Sequence, residues 1–310
     1  MPEGHSIHRL ATQISDVFVG QQLAVSSPQG RFARGAALLN NRRLVSAHAY
    51  GKQLHLMFES PQDIEDRLVM RSHLGLYGAW NFTGDSHFVA ASSIGAPRKI
   101  GERETAGAAA QEWDYDDAGR IIPAPPVGAV RARLVGAHGW ADLRGPAECR
   151  VETVSEAAAA LKRLGPDPLD SKAVPDLFVA RAGRSGRPIA ALLLEQQVIS
   201  GVGNIYRAES LFRRAVDPFL SGNQAGEDVL VGLWEENREL MRTGVRLGRI
   251  VTTDPQDRPG IPEAAAWPKH ANYVYKRADQ PCLRCQTPVQ TMDLAGRSLY
   301  WCPGCQTSGE

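Results

Sequence analysis

The first three residues, Met-Pro-Glu, combine two groups that can act together in covalent catalysis. Initiator methionine is normally removed before a small residue, so we expect the working chain to begin at Pro2 with a secondary amine. An α-amino group has a pKa of about 7.7 to 8.0, so a sizeable fraction is a neutral nucleophile at cellular pH. Its attack on a sugar or carbonyl carbon gives an iminium, which favours later eliminations. Glu3 can transfer protons there. The same residues can also begin a chain without any chemical role.

Four of the five cysteines form two close pairs near the C-terminus. Two residues separate Cys282 from Cys285 and Cys302 from Cys305, and 16 residues separate the pairs. This spacing is typical of a zinc site with four thiolate ligands. Four thiolates leave no open coordination position, so the ion is expected to be structural. The residues between the pairs predict a β-hairpin with Arg297 near its tip, where a guanidinium can bind a phosphate or remain solvated.

Two other polar side chains lie at predicted turns. Lys52 follows Gly51 between two strands of alternating polarity, where an ammonium can bind a phosphate, shuttle a proton or simply face solvent. Asn204 follows a glycine-rich reversal between two helices. The amides of the second helix and the Asn204 side chain predict a phosphate site, with an ordinary N-cap as the alternative.

Three further residues are weaker candidates for contact with nucleic acid. Arg31 can bind a phosphate. Leu76 and Tyr77, in a predicted loop, can wedge between bases or fill a core.

The elements that must position these groups fall into two classes. Ile7, Leu10, Ile14 and Phe18 have helical spacing, with Gly20 as a stop. Residues 23–82 and 130–143 predict strands, giving an all-β domain with one helix that closes near residue 150. Residues 84–126 are expected to form a partly mobile insertion, acidic enough to avoid DNA. Helices are predicted at 153–164, 171–182, 189–199, 205–212 and 227–246, and a proline-rich loop at 251–272.

Composition limits the class of protein. The 310 residues are 43% hydrophobic and 22% charged, as in an ordinary soluble protein of two domains and a small appendage. We expect neither a signal peptide nor a membrane span, and a cytoplasmic location. The net charge is only +1, so any binding to nucleic acid must come from a local basic face.

The sequence resembles the formamidopyrimidine-DNA glycosylase and endonuclease VIII family of base-excision repair enzymes over nearly its whole length. The resemblance depends on motifs in the same order: MPEG at the start, the Gly-Lys turn at 51–52, LGPDPL at 164–169, LLLEQQVISGVGNIYRAESLF at 192–212, and YKRADQPCLRC and AGRSLYWCPGCQ at the end. It implies a multidomain α+β fold with an N-terminal β-sandwich and flanking helix (1–152), a helical helix-two-turn-helix domain (153–268) and a zinc-finger hairpin (269–310). DNA is expected in the cleft between domains.

The resemblance also implies roles for the residues. Pro2 would attack C1′ of the damaged nucleotide, and Glu3 would be the acid that helps to open the sugar ring. Lys52 would support the chemistry and bind a phosphate. Asn204 would bind a phosphate beside the lesion, and Arg297 would bind phosphates around the flipped nucleotide and assist the second elimination. One structural zinc ion, a monomeric state and a nucleoid-associated location in the cytoplasm are expected.

The substrate stays open between three interpretations. Leu76 and Tyr77 resemble the wedge loop of the endonuclease VIII branch, which favours oxidised pyrimidines, with hydantoin lesions or single-stranded and bubble DNA as further substrates. Gly75 departs from that branch, which commonly has a larger polar residue there. The alternatives are a purine-directed formamidopyrimidine enzyme and a damaged-DNA binding protein that cuts little.

Overall fold

The computed structural model describes residues 2–95, 113–267 and 269–307. Its helices are α1 (Gly4–Phe18), α2 (Ala33–Leu39), α3 (Val154–Leu161), α4 (Asp176–Ala182), α5 (Ile189–Leu192), α6 (Asn204–Arg213) and α7 (Glu227–Leu247). Its strands are β1 (Ala24–Ser26), β2 (Arg43–Tyr50), β3 (Gln53–Glu59), β4 (Arg67–His73), β5 (Ala79–Gly84), β6 (Ser93–Gly95), β7 (Val130–Val135), β8 (Gly139–Arg144), β9 (Glu148–Thr153), β10 (Gln290–Leu294) and β11 (Arg297–Trp301).

The chain divides into two compact units. The first consists of Met1–Pro2 and Ser6–Leu161, and the second of Glu3–His5 and Lys162–Glu310. The three-domain division made from the sequence stays a prediction. In the described part of the chain, no helix has both the length and the apolar character that a membrane span requires.

The first unit is a β-sandwich. One antiparallel sheet has the order β2-β3-β4-β9 and the other has the order β1-β7-β8-β5-β6. Alternate residues of both sheets face a common core, in which Leu56 and Phe58 from one sheet and Trp80 and Leu143 from the other are fully buried. The residues that each of these strands contributes to the core are two positions apart, which is the period of two expected of a strand.

Helix α1 covers this core with one apolar face. Ile7, Leu10, Ile14 and Phe18 lie three or four residues apart and are all buried in the core. That spacing places side chains on the same side of a helix. The predicted helix and its apolar face are therefore confirmed.

Two features of the first unit differ from the expectation. Helix α2 lies within residues 23–82, where only strands and turns were predicted; Ala36 and Leu39 bury one side of this short helix. The described ends of the 84–126 insertion pack on the sandwich, since β6 pairs with β5 and Ile121 is buried with Trp140. Residues 96–112 lie outside the described residues, so the expectation that the insertion is partly mobile stays a prediction for them.

The second unit contains the helices from α4 onward and the zinc hairpin. The helix predicted over 171–182 begins only at Asp176, after Pro175. The helix predicted over 189–199 ends at Leu192. After Leu192 the amides of Leu194 and Glu195 donate to carbonyls three residues back. Further on, the Gln196 side chain holds the next turn, donating to the Val202 carbonyl (2.9 Å) and accepting from the Gly201 amide (3.0 Å). Helix α7 spans the whole range predicted for it, 227–246, and ends one residue later, at Leu247.

The LGPDPL segment is more than a connector. The Gly165 amide donates to the Gln196 carbonyl, and the Ser200 amide donates to the Pro166 carbonyl. A Cβ atom at residue 165 would lie 2.4 Å from the Val198 backbone, so glycine is required for this close approach. The segment therefore fixes the turns that precede α6.

Candidate active site and nucleic-acid interface

Glu3 is fully buried, and backbone amides at the start of α6 bind its carboxylate. The Gly203 amide donates to Oε2 (2.9 Å), the Ile205 amide donates to Oε1 (2.8 Å) and the Tyr206 amide donates to Oε2 (3.4 Å). Amides in the first turn of a helix have no intrahelical acceptor and carry partial positive charge. They therefore stabilise a negative charge on Glu3 and hold its side chain in one place.

Glycines make this close approach possible. A Cβ atom on residue 203 would lie 2.5 Å from Cδ of Glu3, and one on Gly4 would lie 2.8 Å from the Cα atom of Gly201. The Gly4 amide donates to the Gly201 carbonyl at 2.9 Å. Glu3 and Gly4 thus pack closely on the GVGN motif, 200 residues away in the sequence, within the second unit.

The same amides bear on the phosphate site expected at α6. The sequence prediction assigned the N-terminal amides of this helix to a phosphate, but those of Gly203, Ile205 and Tyr206 are bonded to Glu3. That part of the prediction is wrong. The N-cap residue is Gly203, and Asn204 is the first residue of the helix.

Asn204 and Arg207 connect α6 to the zinc hairpin. Nδ2 of Asn204 donates to the Ser298 carbonyl (2.9 Å), and its Oδ1 accepts a hydrogen bond from Arg207. Arg207 is fully buried and also donates to the carbonyls of Ser298 (3.1 Å) and Leu294 (3.3 Å). These bonds fix the hairpin backbone on both sides of its turn.

Arg297 is exposed at the first position of β11, where it pairs with Leu294 across the turn. Burial, and then the positive charge of Arg297, lowers the pKa of Arg207 to about 10. Two guanidinium groups therefore lie close enough to repel each other. A phosphate placed beside them would relieve this repulsion.

A second buried carboxylate holds the segment that leads into the hairpin. Glu209 accepts hydrogen bonds from the amides of Tyr273 (2.8 Å), Val274 (2.9 Å) and Tyr275 (2.7 Å). Because α6 carries Asn204, Arg207 and Glu209, this helix positions the whole finger relative to Glu3 within the second unit.

The four cysteines fit a zinc ion. Their sulfur atoms all lie within 4.8 Å of one another, with 3.8 Å between Cys282 and Cys305 and 3.4 Å between Cys285 and Cys302. Four ligands at about 2.3 Å from a tetrahedral zinc ion place sulfur atoms about 3.8 Å apart. Cys282 and Cys302 are fully buried in a small core with Val289 and Phe212. All four positions are occupied by thiolates, so the ion is structural.

Lys52 lies in the first unit, in the two-residue turn between β2 and β3. Gly51 adopts a φ of +56°, which glycine tolerates best, and Tyr50 pairs with Gln53 across the turn. His73 lies opposite Gln53 on β4. Burial, and then the charge of Lys52, lowers the pKa of His73, which favours the neutral form of this imidazole.

The predicted wedge loop connects β4 and β5. Leu74 is buried, whereas Leu76 and Tyr77 are 50% and 76% exposed. Gly75 has a φ of +66°, and a Cβ atom there would lie 2.8 Å from that of Ala147. The loop therefore presents two large apolar side chains and excludes a larger residue at position 75. Arg31 is exposed in the turn before α2.

Comparisons with known proteins decide the family. Residues 164–256 match the formamidopyrimidine-DNA glycosylase H2TH domain, and residues 279–307 match the zinc finger found in FPG and IleRS. Endonuclease 8 1 of Mycobacterium tuberculosis is 40% identical over 308 residues, covering 99% of this chain and 100% of that protein. This chain belongs to the formamidopyrimidine-DNA glycosylase and endonuclease VIII family. The resemblance stated from the motifs is confirmed.

Other members of the family support the fold. The formamidopyrimidine-DNA glycosylase of Thermus thermophilus is 38% identical over 151 residues, which are 48% of this chain and 55% of that protein. The structure of Lactococcus lactis Fpg with DNA containing an abasic site has a TM-score of 0.68, with 19% identity and coverage of 99% of this chain and 100% of that one. The predicted mixed α+β fold is thereby confirmed.

Sequence reasoning missed Arg207, Glu209 and His73. Arg207 and Glu209 lie in the NIYRAESLF motif, and charged residues within an otherwise apolar helix face were a usable signal. His73 had no such signal, because only the pairing of β3 with β4 brings it near Lys52.

Proposed function

We propose that the protein excises oxidised bases from DNA and then cleaves the strand at the abasic site, with Pro2 as the nucleophile. The observation that carries this proposal is the 40% sequence identity with endonuclease 8 1 of Mycobacterium tuberculosis, which covers 99% of this chain and 100% of that protein. The chain keeps the Pro-Glu terminus, and the family's finger fits one structural zinc ion.

The chemistry begins at the terminal amine. The lone pair of the Pro2 nitrogen attacks C1′, the bond to the base breaks, and the base leaves with a proton. The base takes the proton that the attacking nitrogen loses. Glu3, which has taken a proton from the Pro2 ammonium before the attack, returns it to the ring oxygen, and loss of this oxygen from C1′ opens the sugar and gives an iminium. The iminium acidifies the C2′ hydrogen, so that β-elimination expels the 3′ phosphate and δ-elimination expels the 5′ phosphate.

Phosphate contacts hold the strand while this happens. We assign them to Lys52 on its turn, to Arg297 at the hairpin tip and to Asn204, whose Nδ2 retains a second hydrogen beyond the one bonded to Ser298. Arg207 is a positioning residue, since it binds the hairpin backbone rather than the substrate. Such contacts orient DNA without reading its sequence.

The target nucleotide must leave the duplex before Pro2 can reach it. Leu76 and Tyr77 are exposed and apolar, as a wedge that fills the resulting gap requires. We favour oxidised pyrimidines as substrates, in line with the endonuclease VIII branch. Because the substrate is chromosomal DNA, we place the protein with the nucleoid in the cytoplasm, acting as a monomer.

Borohydride trapping tests the nucleophile. The protein is mixed with an oligonucleotide carrying an abasic site, reduced, and compared with Pro2→Gly and with a form that retains Met1. We expect a covalent adduct that is lost when Met1 acylates the proline and reduced when Pro2 is replaced. Tight binding without any adduct, at full zinc occupancy, would instead indicate a damage-recognition protein.

A second assay tests the lesion. Duplexes with thymine glycol or 8-oxoguanine are offered at equal concentration under single-turnover conditions. Faster release of thymine glycol is expected. Equal or faster excision of 8-oxoguanine would assign the protein to the purine-directed activity.

A further inference from the structure

Three metal-binding side chains converge on the surface of the sandwich, apart from the residues assigned to catalysis. Asp85 and His87 follow the end of β5, and His138 lies in the turn between β7 and β8. Their ligand atoms all lie within 4.8 Å of one another. Nδ1 of His138 is 2.9 Å from Oδ2 of Asp85, and Nδ1 of His87 is 3.5 Å from Oδ1 of the same carboxylate.

Backbone hydrogen bonds hold this cluster in place. The Asp85 amide donates to the His138 carbonyl at 2.8 Å, which joins the two loops directly. The His87 amide donates to Oδ1 of Asp85 at 2.8 Å, and the Tyr115 hydroxyl donates to Oδ2 at 2.8 Å. The Asp85 side chain is only 8% exposed, whereas the His87 side chain is 75% exposed. The carboxylate is thus fixed, and the imidazoles lie at the surface around it.

The loop is also attached to the core. Phe88 packs on two glycines, because a Cβ atom on either Gly84 or Gly139 would lie 2.5 Å from a Phe88 side-chain atom. Its ring centroid lies 5.4 Å from that of Phe18, on the buried face of α1. The chain segments that carry the three side chains therefore have a rigid support, and such support is what a preformed metal site needs.

We propose that Asp85, His87 and His138 bind one divalent transition-metal ion of the zinc class. Two imidazoles and a carboxylate are ligands that zinc prefers, with water in the fourth position. Ligand atoms at 2.0–2.1 Å from a tetrahedral ion are about 3.3 Å apart. The separation from His138 to Oδ2 of Asp85, 2.9 Å, and that from His87 to Oδ1, 3.5 Å, lie on either side of that value, so small side-chain movements would bring three ligand atoms to it.

Tyr115 acts as an outer partner of the site. By donating to Oδ2, its hydroxyl orients the carboxylate, as groups behind a metal ligand commonly do. Tyr115 also pairs with Ile121, which is buried with Trp140. The ion would thus connect the first described part of the 84–126 insertion, the β7–β8 turn and, through Tyr115, the last part of the insertion.

Metal titration of the zinc-loaded protein tests the proposal. Protein with one zinc ion per chain is titrated with Zn²⁺ in a calorimeter, and the metal content is measured after gel filtration. We expect a second equivalent in the unmodified protein and loss of that equivalent in His138→Gln and Asp85→Asn. The matched control is His48→Gln, because His48 is an exposed histidine elsewhere on the sandwich.

Two further measurements keep the outcome unambiguous. His87→Gln changes a side chain that is mostly in solvent, so it leaves the fold intact. It should lower the affinity for the second zinc ion at least tenfold. With Co²⁺ as the probe, the second equivalent should give weak visible bands without the intense sulfur charge-transfer bands of the four-cysteine site. Only one bound ion in excess Zn²⁺, or equal binding by the His87→Gln and His48→Gln variants, would show that the cluster is an ordinary surface ion pair.

Discussion

Replacing Gly203 by alanine should displace the Glu3 carboxylate without removing it, so this substitution tests whether its position matters for activity. The new methyl group would lie 2.5 Å from Cδ of Glu3, whereas ordinary contact begins at 3.4 Å. The carboxyl group must therefore move by about 1 Å, because α6 holds the backbone at residue 203. Gly203 has a φ of −124°, which alanine adopts freely, so the backbone itself is not strained.

The expected loss in the free energy of unfolding follows from the hydrogen bonds that the carboxylate loses. A hydrogen bond to a charged group contributes about 1.5–3 kcal/mol. Loss of the two short bonds, from the Gly203 and Ile205 amides, should lower the free energy of unfolding by about 3 kcal/mol at the low end of that range. Alanine is also a poorer N-cap than glycine, by roughly 1 kcal/mol or less. A displacement of about 1 Å at a catalytic group can reduce the rate by about 10²-fold.

The assay combines urea unfolding with borohydride trapping at an abasic site, both on zinc-loaded protein. Gly186→Ala is the matched control, because Gly186 has open space around it and its free energy of unfolding should change by no more than about 0.5 kcal/mol. Trapping should slow by about 100-fold in Gly203→Ala and not in the control. If Gly203→Ala unfolds and reacts like the control, the α6 amides do not position Glu3 in the way that the structure indicates.

Three other predictions concern His55, Arg207 and Gly75. Burial is the main reason that the pKa of His55 falls from 6.5 to about 4, so the fold favours the neutral imidazole. This stabilisation is lost as the pH falls below 6.5, because the unfolded chain then binds a proton that the folded chain does not. In urea unfolding, the free energy of unfolding of the unmodified protein should fall by about 2 kcal/mol more than that of His55→Gln between about pH 7.5 and about pH 5. Arg207→Met should weaken DNA binding because it no longer holds Asn204 and the hairpin that carries Arg297. In a variant that already lacks both phosphate contacts, Arg297→Ala with Asn204→Ala, it should cause no further loss of affinity; a further loss would contradict a positioning role. Gly75→Ser should be less stable than Gly128→Ser in thermal melts, since both have a positive φ but only Gly75 meets a neighbouring side chain; equal melting temperatures would contradict that contact.

Much of the fold was predictable because its signals are local. The spacing of Ile7, Leu10 and Ile14 specifies α1, and the Gly51-Lys52 turn between alternating strands specifies a hairpin. The spacing of the cysteines specifies a metal site, whatever the surrounding fold. Each of these signals lies within a few residues of the feature that it predicts.

The parts that could not be predicted depend on long-range partners. The helix after Ile189 stops at Leu192, and the segment that follows is held from a distance by the Gly165 amide, which donates to the Gln196 carbonyl. The Asp85 cluster needs the pairing of β5 with β8 to bring Asp85 and His138 together. The bonding of Glu3 to α6 joins residues 200 positions apart, which no local pattern indicates.

The way that Glu3 is held also changes how α6 can contribute to DNA binding. A helix N-terminus is a general anion site, and here a carboxylate of the same chain occupies it. To use those amides, a phosphate would have to displace a buried carboxylate that accepts three backbone hydrogen bonds, which is unfavourable because Glu3 would lose those bonds while it stays buried. Binding at this end of α6 must therefore use the Asn204 side chain and the positive charge of Arg297. When Arg297 is replaced by alanine, the slope of log affinity for DNA against log salt concentration should therefore become shallower by about one.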